Sequence, residues 1–375
     1  MSDLARILRE SPPADPAAEE RAWRLARAAY ARRPAPARRR RGHARLAVVI
    51  AVLALGLVTT LTPAGGAVIG LIDVRPDRPS PPHTSRRATR GDALPGGGRL
   101  LVLGGGWASV LKGGAAPQRI ARADEATFSA FGHYVAIARG HRLLVYAVDG
   151  RRVWSLAEPS RVHAPVWSPD GLRIAYRVGG ALRLVDGNGE HPTTLGHATG
   201  RALAWRPGRE PILAYLRAPD LLAMTDVSTG ADVARLRPPP ATTTLGWSTD
   251  GRRLLAAGPH AVRVFSPSGA PLRRRRAPSG AVLVAASFVP GTHRLALLTR
   301  RPGADVLAVE GRTVASAPRL AAPVWSPDAR WLLAGEPGQS WRLVPADPAA
   351  ARRGSALAVG KGAVTVGGWC CRRRH

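Results

Sequence analysis

A repeat of about forty residues is the feature that most constrains the fold of this chain. An aromatic residue closes a short apolar run six times, at spacings of 39, 38, 42, 41 and 37 residues. Each copy continues with a tight turn, an apolar segment and a second tight turn, which predicts four short strands per unit. A near-constant period of such units is typical of the blades of an all-β propeller. The six aromatic residues are Phe128, Trp167, Trp205, Trp247, Phe288 and Trp325.

The tight turn that follows the aromatic residue has a residue pattern of its own. In the Ser168–Gly171 turn, Pro169 stands at the second position of a type I turn and Asp170 can bond its own backbone. Parts of this turn recur at Asp250–Gly251 and at Asp328. We interpret the aspartates as turn-stabilising, with cation binding as the alternative. The aromatic residues are predicted to pack between blades.

These residues resemble the W-S-P-D-G element of TolB-type, WD-repeat-like β-propellers. Trp167–Gly171 matches that element in full, and Trp247–Gly251 differs from it at Thr249. Trp325–Asp328 is followed by Ala329 where glycine is usual. The resemblance covers roughly residues 98 to 369. It implies the fold and specifies neither a ligand nor a reaction.

The number of blades follows from the two ends of the repeat region. Residues 99 to 120 have the pattern of the second to fourth strands of a blade that lacks its first strand. Ala363 to Trp369 has the pattern of a lone first strand, and Trp369 lies 44 residues after Trp325. Joining the two pieces gives six continuous blades and one split blade, which would leave the ring without a free edge. We therefore predict seven blades, with six as the alternative.

An uncharged run near the N-terminus predicts a membrane anchor. Residues 46 to 72 contain no charged side chain, and a helix of that length can cross the hydrocarbon layer of a bilayer. Arginines precede the run, and the positive-inside rule then places the N-terminus in the cytoplasm and the propeller outside it. A cleaved signal peptide and a buried core helix are the alternatives. The arginines nearest the run are Arg38, Arg39, Arg40, Arg41 and Arg45.

Four segments are predicted from this arrangement. Residues 1 to 45 form a cytoplasmic Arg-rich segment whose Pro16 to Arg33 stretch reads as a short helix, either solvated or docking a cytoplasmic partner. Residues 46 to 72 form the transmembrane helix, and residues 73 to 97 form a linker rich in Pro, Arg and Gly. Residues 98 to 375 form the extracytoplasmic propeller.

Charge alone does not identify a partner of this chain. The net charge is +30, and almost all of the basic residues are arginine, as GC-rich coding alone would produce. Nucleic acid is therefore not expected as a partner. The run Arg273 to Arg276 is expected to form a solvated outer edge, with an anion or partner site as the alternative. Cys370 and Cys371 are adjacent and are either free thiols or part of a vicinal or intermolecular disulfide.

The sequence lacks the common catalytic motifs. It contains no G-x-S-x-G, H-E-x-x-H, P-loop or C-x-x-C sequence, so we expect no enzyme activity, no cofactor and no bound metal. The histidines are scattered singly, and those in the first turns, His133 and His293, are expected to be solvated loop residues rather than ligands.

Three functions are compatible with these observations. The first is a membrane-anchored, extracytoplasmic scaffold of the bacterial cell envelope that binds a protein or an envelope ligand. A lactonase-like or lyase-like propeller enzyme is the second, and convergence of His, Arg and carboxylates at the mouth of the central channel would favour it. A transmembrane regulator similar to an anti-sigma factor is the third, although the H-x-x-x-C-x-x-C zinc element common in that class is missing from the sequence.

Overall fold

The structure, a computed structural model, describes residues 94–95, 97–113, 116–335, 341–346, 355–357 and 364–371. Within these residues the secondary structure consists of 28 strands and no helix. The strands are β1 (Arg99–Gly104), β2 (Trp107–Lys112), β3 (Gln118–Arg122), β4 (Glu125–Phe128), β5 (Tyr134–Arg139), β6 (Arg142–Ala147), β7 (Arg152–Ala157), β8 (Val162–Trp167), β9 (Arg173–Val178), β10 (Ala181–Asp186), β11 (Thr193–His197), β12 (Leu203–Trp205), β13 (Ile212–Ala218), β14 (Leu221–Asp226), β15 (Asp232–Leu236), β16 (Thr244–Trp247), β17 (Leu254–Ala257), β18 (Ala261–Phe265), β19 (Pro271–Arg276), β20 (Val282–Phe288), β21 (Leu295–Arg301), β22 (Ala304–Val309), β23 (Arg312–Ala317), β24 (Val324–Trp325), β25 (Trp331–Gly335), β26 (Trp341–Pro345), β27 (Ser355–Leu357) and β28 (Val364–Cys370).

These strands form seven antiparallel sheets of four strands each. Six sheets use four consecutive strands, and we number them blades 2 to 7, beginning with β4 to β7 and ending with β24 to β27. Blade 1 has the order β28-β1-β2-β3. The prediction of an all-β, seven-bladed propeller built from a WD-repeat-like unit is therefore confirmed, and the six-bladed alternative is wrong.

Blade 1 is the split blade that the sequence predicts. Strand β28 lies antiparallel to β1 and pairs Trp369 with Leu100 and Thr365 with Leu103. The indole N–H of Trp369 donates to the carbonyl oxygen of Gly97 at 2.8 Å. Two segments from opposite ends of the repeat region therefore share one sheet, and their pairing closes the ring.

Apolar clusters between neighbouring blades hold the ring together. Seven buried clusters join successive blades, and one of them joins blade 7 to blade 1. That closing cluster includes Leu100 and Trp369 from blade 1 and Leu333 from blade 7. Leu94 also packs into it and is 7% exposed, although the sequence placed this residue in the linker. The packed part of the chain thus begins a few residues before the predicted boundary.

The blades give the ring two distinct faces. We call the side on which the first strand of each blade begins the start face, and it also carries the turns between second and third strands. We call the opposite side the turn face, and it carries the turns between first and second strands and between third and fourth strands. Near the turn face, the first strands of neighbouring blades are joined by hydrogen bonds. The indole N–H of Trp247 donates to Ala204 O, and that of Trp205 donates to Val166 O, both at 3.2 Å.

The Ser-Pro-Asp-Gly turn has the hydrogen bonds that its residues predict. The Gly171 amide donates to Ser168 O at 2.9 Å, and the Leu172 amide donates to the Asp170 carboxylate at 3.0 Å. The Arg173 amide donates to the buried Ser168 hydroxyl at 2.9 Å. The glycine at the fourth position has a positive φ of 70°. Blade 7 forms the same turn with Ala329 at φ 59°, where a side chain is sterically unfavourable.

Replacing Ala329 by glycine is expected to raise the free energy of unfolding by about 0.5 to 1 kcal/mol, because glycine adopts positive φ without a steric cost. Denaturant unfolding of the full-length chain measures this change. Gly251→Ala is the matched opposite variant and should lower the stability. Gly251 has a φ of 67°, and a Cβ added there would lie against the carbonyl oxygen of Pro207. A loss of stability in both variants would contradict this account of the turn.

The predicted cytoplasmic segment, the transmembrane helix and all but the last residues of the linker lie outside the described residues. Among the described residues there is no candidate for a membrane-spanning helix.

Candidate functional site

A charged cluster lies on the start face, where the first strands of blades 2, 3 and 4 begin. It contains a carboxylate from each of Asp124 and Glu125, the imidazole of His163, and the guanidinium groups of Arg161 and Arg201. Glu125 lies in β4, His163 lies in β8, and Arg201 lies two residues before β12. These are first strands, which contact one another around the ring and are therefore its innermost strands. The cluster therefore lies beside the axis of the ring.

Glu125 is the centre of this cluster. Its Oε1 atom is 3.0 Å from Nδ1 of His163 and accepts a 3.1 Å bond from Arg201. Its Oε2 atom accepts a 2.7 Å bond from the Ala164 amide. The carboxylate thus connects three consecutive blades, and both of its oxygens are engaged.

The backbone of blade 3 is shaped to reach this carboxylate. The register between β8 and β9 shifts between His163 and Val166, which marks a bulge. Ala164 within the bulge has φ 49°, and its amide is the one that bonds Glu125. A left-handed conformation at a non-glycine residue is costly, and such residues cluster at functional sites. The left-handed backbone at Ala164 is therefore a further indication that this cluster is a functional site.

A second ion pair lies next to the first. Oδ2 of Asp124 accepts bonds from Arg161 at 3.3 Å and from the Gly140 amide at 3.0 Å. The side chain of Arg161 is 62% exposed and that of Arg201 is 63% exposed. Two guanidinium groups of the cluster thus remain open to solvent on the start face, whereas the side chain of Glu125 is only 27% exposed.

Arg177 adds positive charge to the same region. It lies in β9, is half-buried, and donates to the carbonyl oxygens of Gly200 and Gly179. Gly200 directly precedes Arg201 in the chain. Burial lowers the pKa of Arg177, and the nearby positive charge of Arg201 lowers it further.

The two faces of the ring differ in charge. On the start face, the exposed carboxylates among the described residues are Asp124 and Asp220. Among the described residues, the turn face carries five exposed carboxylates, those of Asp149, Asp170, Glu190, Glu210 and Asp250. The start face is therefore strongly basic. Its exposed arginines are Arg122, Arg139, Arg142, Arg161, Arg201, Arg237, Arg276, Arg301 and Arg319.

The structure places the predicted aromatic residues at or near the ends of the first strands, next to the turn face. Five of them are buried or nearly so, and Trp247 and Trp325 are partly exposed. The indole of Trp325 donates to the Ser287 hydroxyl of the preceding blade at 3.0 Å. The indole N–H of Trp167 is buried and has no partner among the described residues. The buried aromatic residues are Phe128, Trp167, Trp205, Phe288 and Trp369.

The turn aspartates lie on the turn face, away from the charged cluster. Asp250 accepts bonds from the Ser248 hydroxyl, the Arg252 amide and His293, and these contacts, Ser248 foremost, lower the pKa of its carboxyl group to about 2. Nε2 of His293 is 2.9 Å from Asp250 Oδ2 in the neighbouring blade. Asp328 bonds Ser326 and the Arg330 amide in the same way. No group of three or more potential metal ligands occurs within the described residues.

The arginine run in β19 corrects one expectation. Arg274 and Arg276 are exposed, as a solvated edge requires. Arg273 and Arg275 are half-buried instead, and both contact Glu310 of the next blade. The expectation of a wholly solvated edge is wrong for these two residues, because alternate side chains of a strand point to opposite faces and one face here meets blade 6.

The cysteines lie where the split blade meets blade 2. Cys370 and Cys371 are joined as a vicinal disulfide in the structure. Their sulfur atoms lie 4.0 Å from Ser129 O and 3.8 Å from Ala130 O, respectively, in the first turn of blade 2.

The sequence reasoning missed the charged cluster. It judged histidines by their neighbours along the chain, whereas the propeller joins residues that are one repeat apart. Glu125, His163 and Arg201 are separated by 38 residues each. Comparing the position four residues before each aromatic residue would have shown charged or histidine side chains in blades 2 to 4 and uncharged ones elsewhere. These residues are Asp124, His163, Arg201, Thr243, Val284, Ala321 and Thr365.

Fold and site together define a seven-bladed β-propeller with a charged cluster at one end of its axis. No family model and no curated protein matches the chain. Among solved structures, a chain in the crystal structure of a mitotic checkpoint complex is similar, with a TM-score of 0.50 and 19% sequence identity. The match covers 63% of this chain and 79% of that chain. At this identity the likeness shows the fold alone.

Proposed function

We propose that this protein is a membrane-anchored scaffold whose extracytoplasmic propeller binds a protein partner through its start face. The observation that carries the proposal is the charge of that face, where many exposed arginines accompany few exposed carboxylates. Arginine is enriched at protein interfaces, since its planar group forms several hydrogen bonds and stacks on aromatic side chains. A partner with an acidic surface fits this face best.

The anchor belongs to the same proposal. The uncharged run of residues 46 to 72 and the arginines before it support a single span with the propeller outside the cytoplasm. In this proposal the Pro-, Arg- and Gly-rich residues before Leu94 act as the spacer between the span and the ring.

An enzyme is the second candidate function, and the Glu125–His163 pair favours it. A carboxylate that holds one imidazole nitrogen leaves the other nitrogen to act as a general base. The cluster brings a histidine, arginines and carboxylates together at one end of the ring axis, which is the arrangement that favours a lactonase-like or lyase-like enzyme. We favour binding because Arg201 and the Ala164 amide also engage Glu125, so that the carboxylate acts as a bridge between blades.

Site-specific photo-crosslinking in intact cells tests the binding proposal. A photoreactive residue at Ser160, which is exposed on the start face, is expected to give a crosslinked protein adduct. The same residue at Arg209, which is exposed on the turn face, is expected to give none. Replacing Arg139, Arg142 and Arg301 together by glutamate should abolish the adduct formed from Ser160, because these changes reverse the charge of the face.

Two outcomes would contradict the proposal. One is an adduct that survives the triple charge reversal. The other is lactone hydrolysis by the purified full-length chain that is lost in His163→Gln, which would establish the enzyme instead.

A further inference from the structure

The region around Arg177 and Arg201 holds more positive than negative charge. Arg177 is half-buried and donates to two uncharged carbonyl groups, those of Gly179 and Gly200. Arg201 contacts one carboxylate, that of Glu125, which it shares with His163. Two guanidinium groups thus stand against one shared carboxylate, and a buried or half-buried charge is costly when it lacks an opposite charge.

Both arginines meet at the same short connection between blades 3 and 4. Arg177 bonds the carbonyl of Gly200, and Arg201 is the next residue. The side chain of Arg201 is 63% exposed, and its bond to Glu125 uses one of the five N–H donors of a guanidinium group. Donors of Arg201 that do not bond Glu125 can therefore reach a ligand from solvent.

We infer that this connection is a binding site for an oxyanion, either a carboxylate or a phosphate group, held by Arg201 and supported by the positive charge of Arg177. Guanidinium groups bind both kinds of oxyanion through paired N–H donors. A bound anion would supply the negative charge that the region lacks. The site stands independently of the protein-binding proposal, because a small anion can occupy it without a partner.

Glu125 is predicted to compete with the anion. Its carboxylate occupies one donor of Arg201 and repels any anion that approaches the same group. Removing its charge while keeping its shape should therefore strengthen anion binding. A purely structural role of the network predicts no such gain, so Glu125→Gln separates the two interpretations.

Calorimetric titration of the full-length chain, purified in detergent, tests the inference. The probes are inorganic phosphate and glutarate, each at an ionic strength held constant with sodium chloride. We expect saturable binding of at least one probe, and the probe that binds identifies the source of the oxyanion. Arg201→Gln is expected to weaken binding by about tenfold or more, and Glu125→Gln is expected to strengthen it about tenfold.

Arg301→Gln is the matched control, because Arg301 is also an exposed arginine of the start face but lies in blade 6. It should leave the affinity unchanged, and thermal unfolding should show that Arg201→Gln keeps the wild-type melting temperature. The inference is overturned if neither probe binds, if Arg301→Gln weakens binding as much as Arg201→Gln, or if Glu125→Gln does not strengthen it.

Discussion

Deleting residues 362 to 375 from the full-length chain is expected to leave the propeller aggregated or sensitive to protease. The deletion removes β28, so that β1 loses the strand that pairs with it and the ring gains an open edge. It also removes Trp369 from the cluster between blades 7 and 1, where this side chain is 8% exposed. Limited proteolysis and thermal unfolding measure the effect.

Trp369→Ala separates the two contributions, since it keeps the strand and removes only the side chain. Truncating a large buried aromatic side chain costs about 3 to 5 kcal/mol, a large share of the roughly 5 to 15 kcal/mol by which most domains are stable. Deleting residues 1 to 44 is the control and should leave the stability of the propeller unchanged. If the C-terminal deletion melts at the wild-type temperature, closure by β28 does not stabilise the ring.

Glu310→Gln is expected to lower the free energy of unfolding by about 2 to 3 kcal/mol at pH 7, and the loss should shrink as the pH falls. Glu310 lies in the turn between β22 and β23 and accepts bonds from Arg273 at 3.0 and 2.8 Å. It also accepts a 2.6 Å bond from the Leu295 amide, and Arg275 approaches it at 3.4 Å. These groups, Arg273 foremost, lower the pKa of Glu310 from 4.5 to about 2.

The decrease of this stability loss at low pH follows from the lowered pKa of Glu310. A carboxyl group whose pKa is lower in the folded state stabilises the fold above its unfolded pKa, and that stabilisation disappears as the pH falls through the folded pKa. The wild-type chain should therefore lose this contribution between about pH 4.5 and about pH 2. Chemical unfolding at a series of pH values measures it.

Asp226→Asn is the matched control for Glu310→Gln. Asp226 occupies the corresponding turn of blade 4 and accepts a bond from the Ser228 amide. Its replacement should cost roughly 0.5 kcal/mol or less, as is usual for substitutions near the surface. Equal losses in the two variants, or a loss in Glu310→Gln that does not change with pH, would show that the arginine pair is not the cause.

The repeat made the fold predictable, because each unit contains the residues that determine its own strands and turns. Trp167 and the Ser168–Gly171 turn fix where a first strand ends and how the second begins, and this information is local. Ring closure was also predictable, since Trp369 lies about one period beyond Trp325 and residues 99 to 120 have the pattern of a blade that lacks its first strand. The linker boundary was less accurate, because nothing near Leu94 in the sequence indicates that this side chain packs between blades.

Charged contacts between blades were not predictable by reading along the chain. The partners of Glu125 lie 38 and 76 residues away, and Glu310 lies 37 residues from Arg273. Such pairs depend on which side chains neighbouring blades turn toward each other. The run Arg273 to Arg276 shows the difficulty, because four identical residues divide into two that contact blade 6 and two that face solvent.

The split blade also sets an order on folding. The bond from Trp369 to Gly97 joins residues that are 272 positions apart in the sequence, whereas the neighbouring blades 2 to 7 are each built from consecutive strands. Bringing two such distant segments together from a flexible chain costs about 5 kcal/mol of loop entropy. Blades formed earlier shorten the effective loop, so β28 should join β1 last, and the ring should stay open during synthesis until residue 370 has left the ribosome.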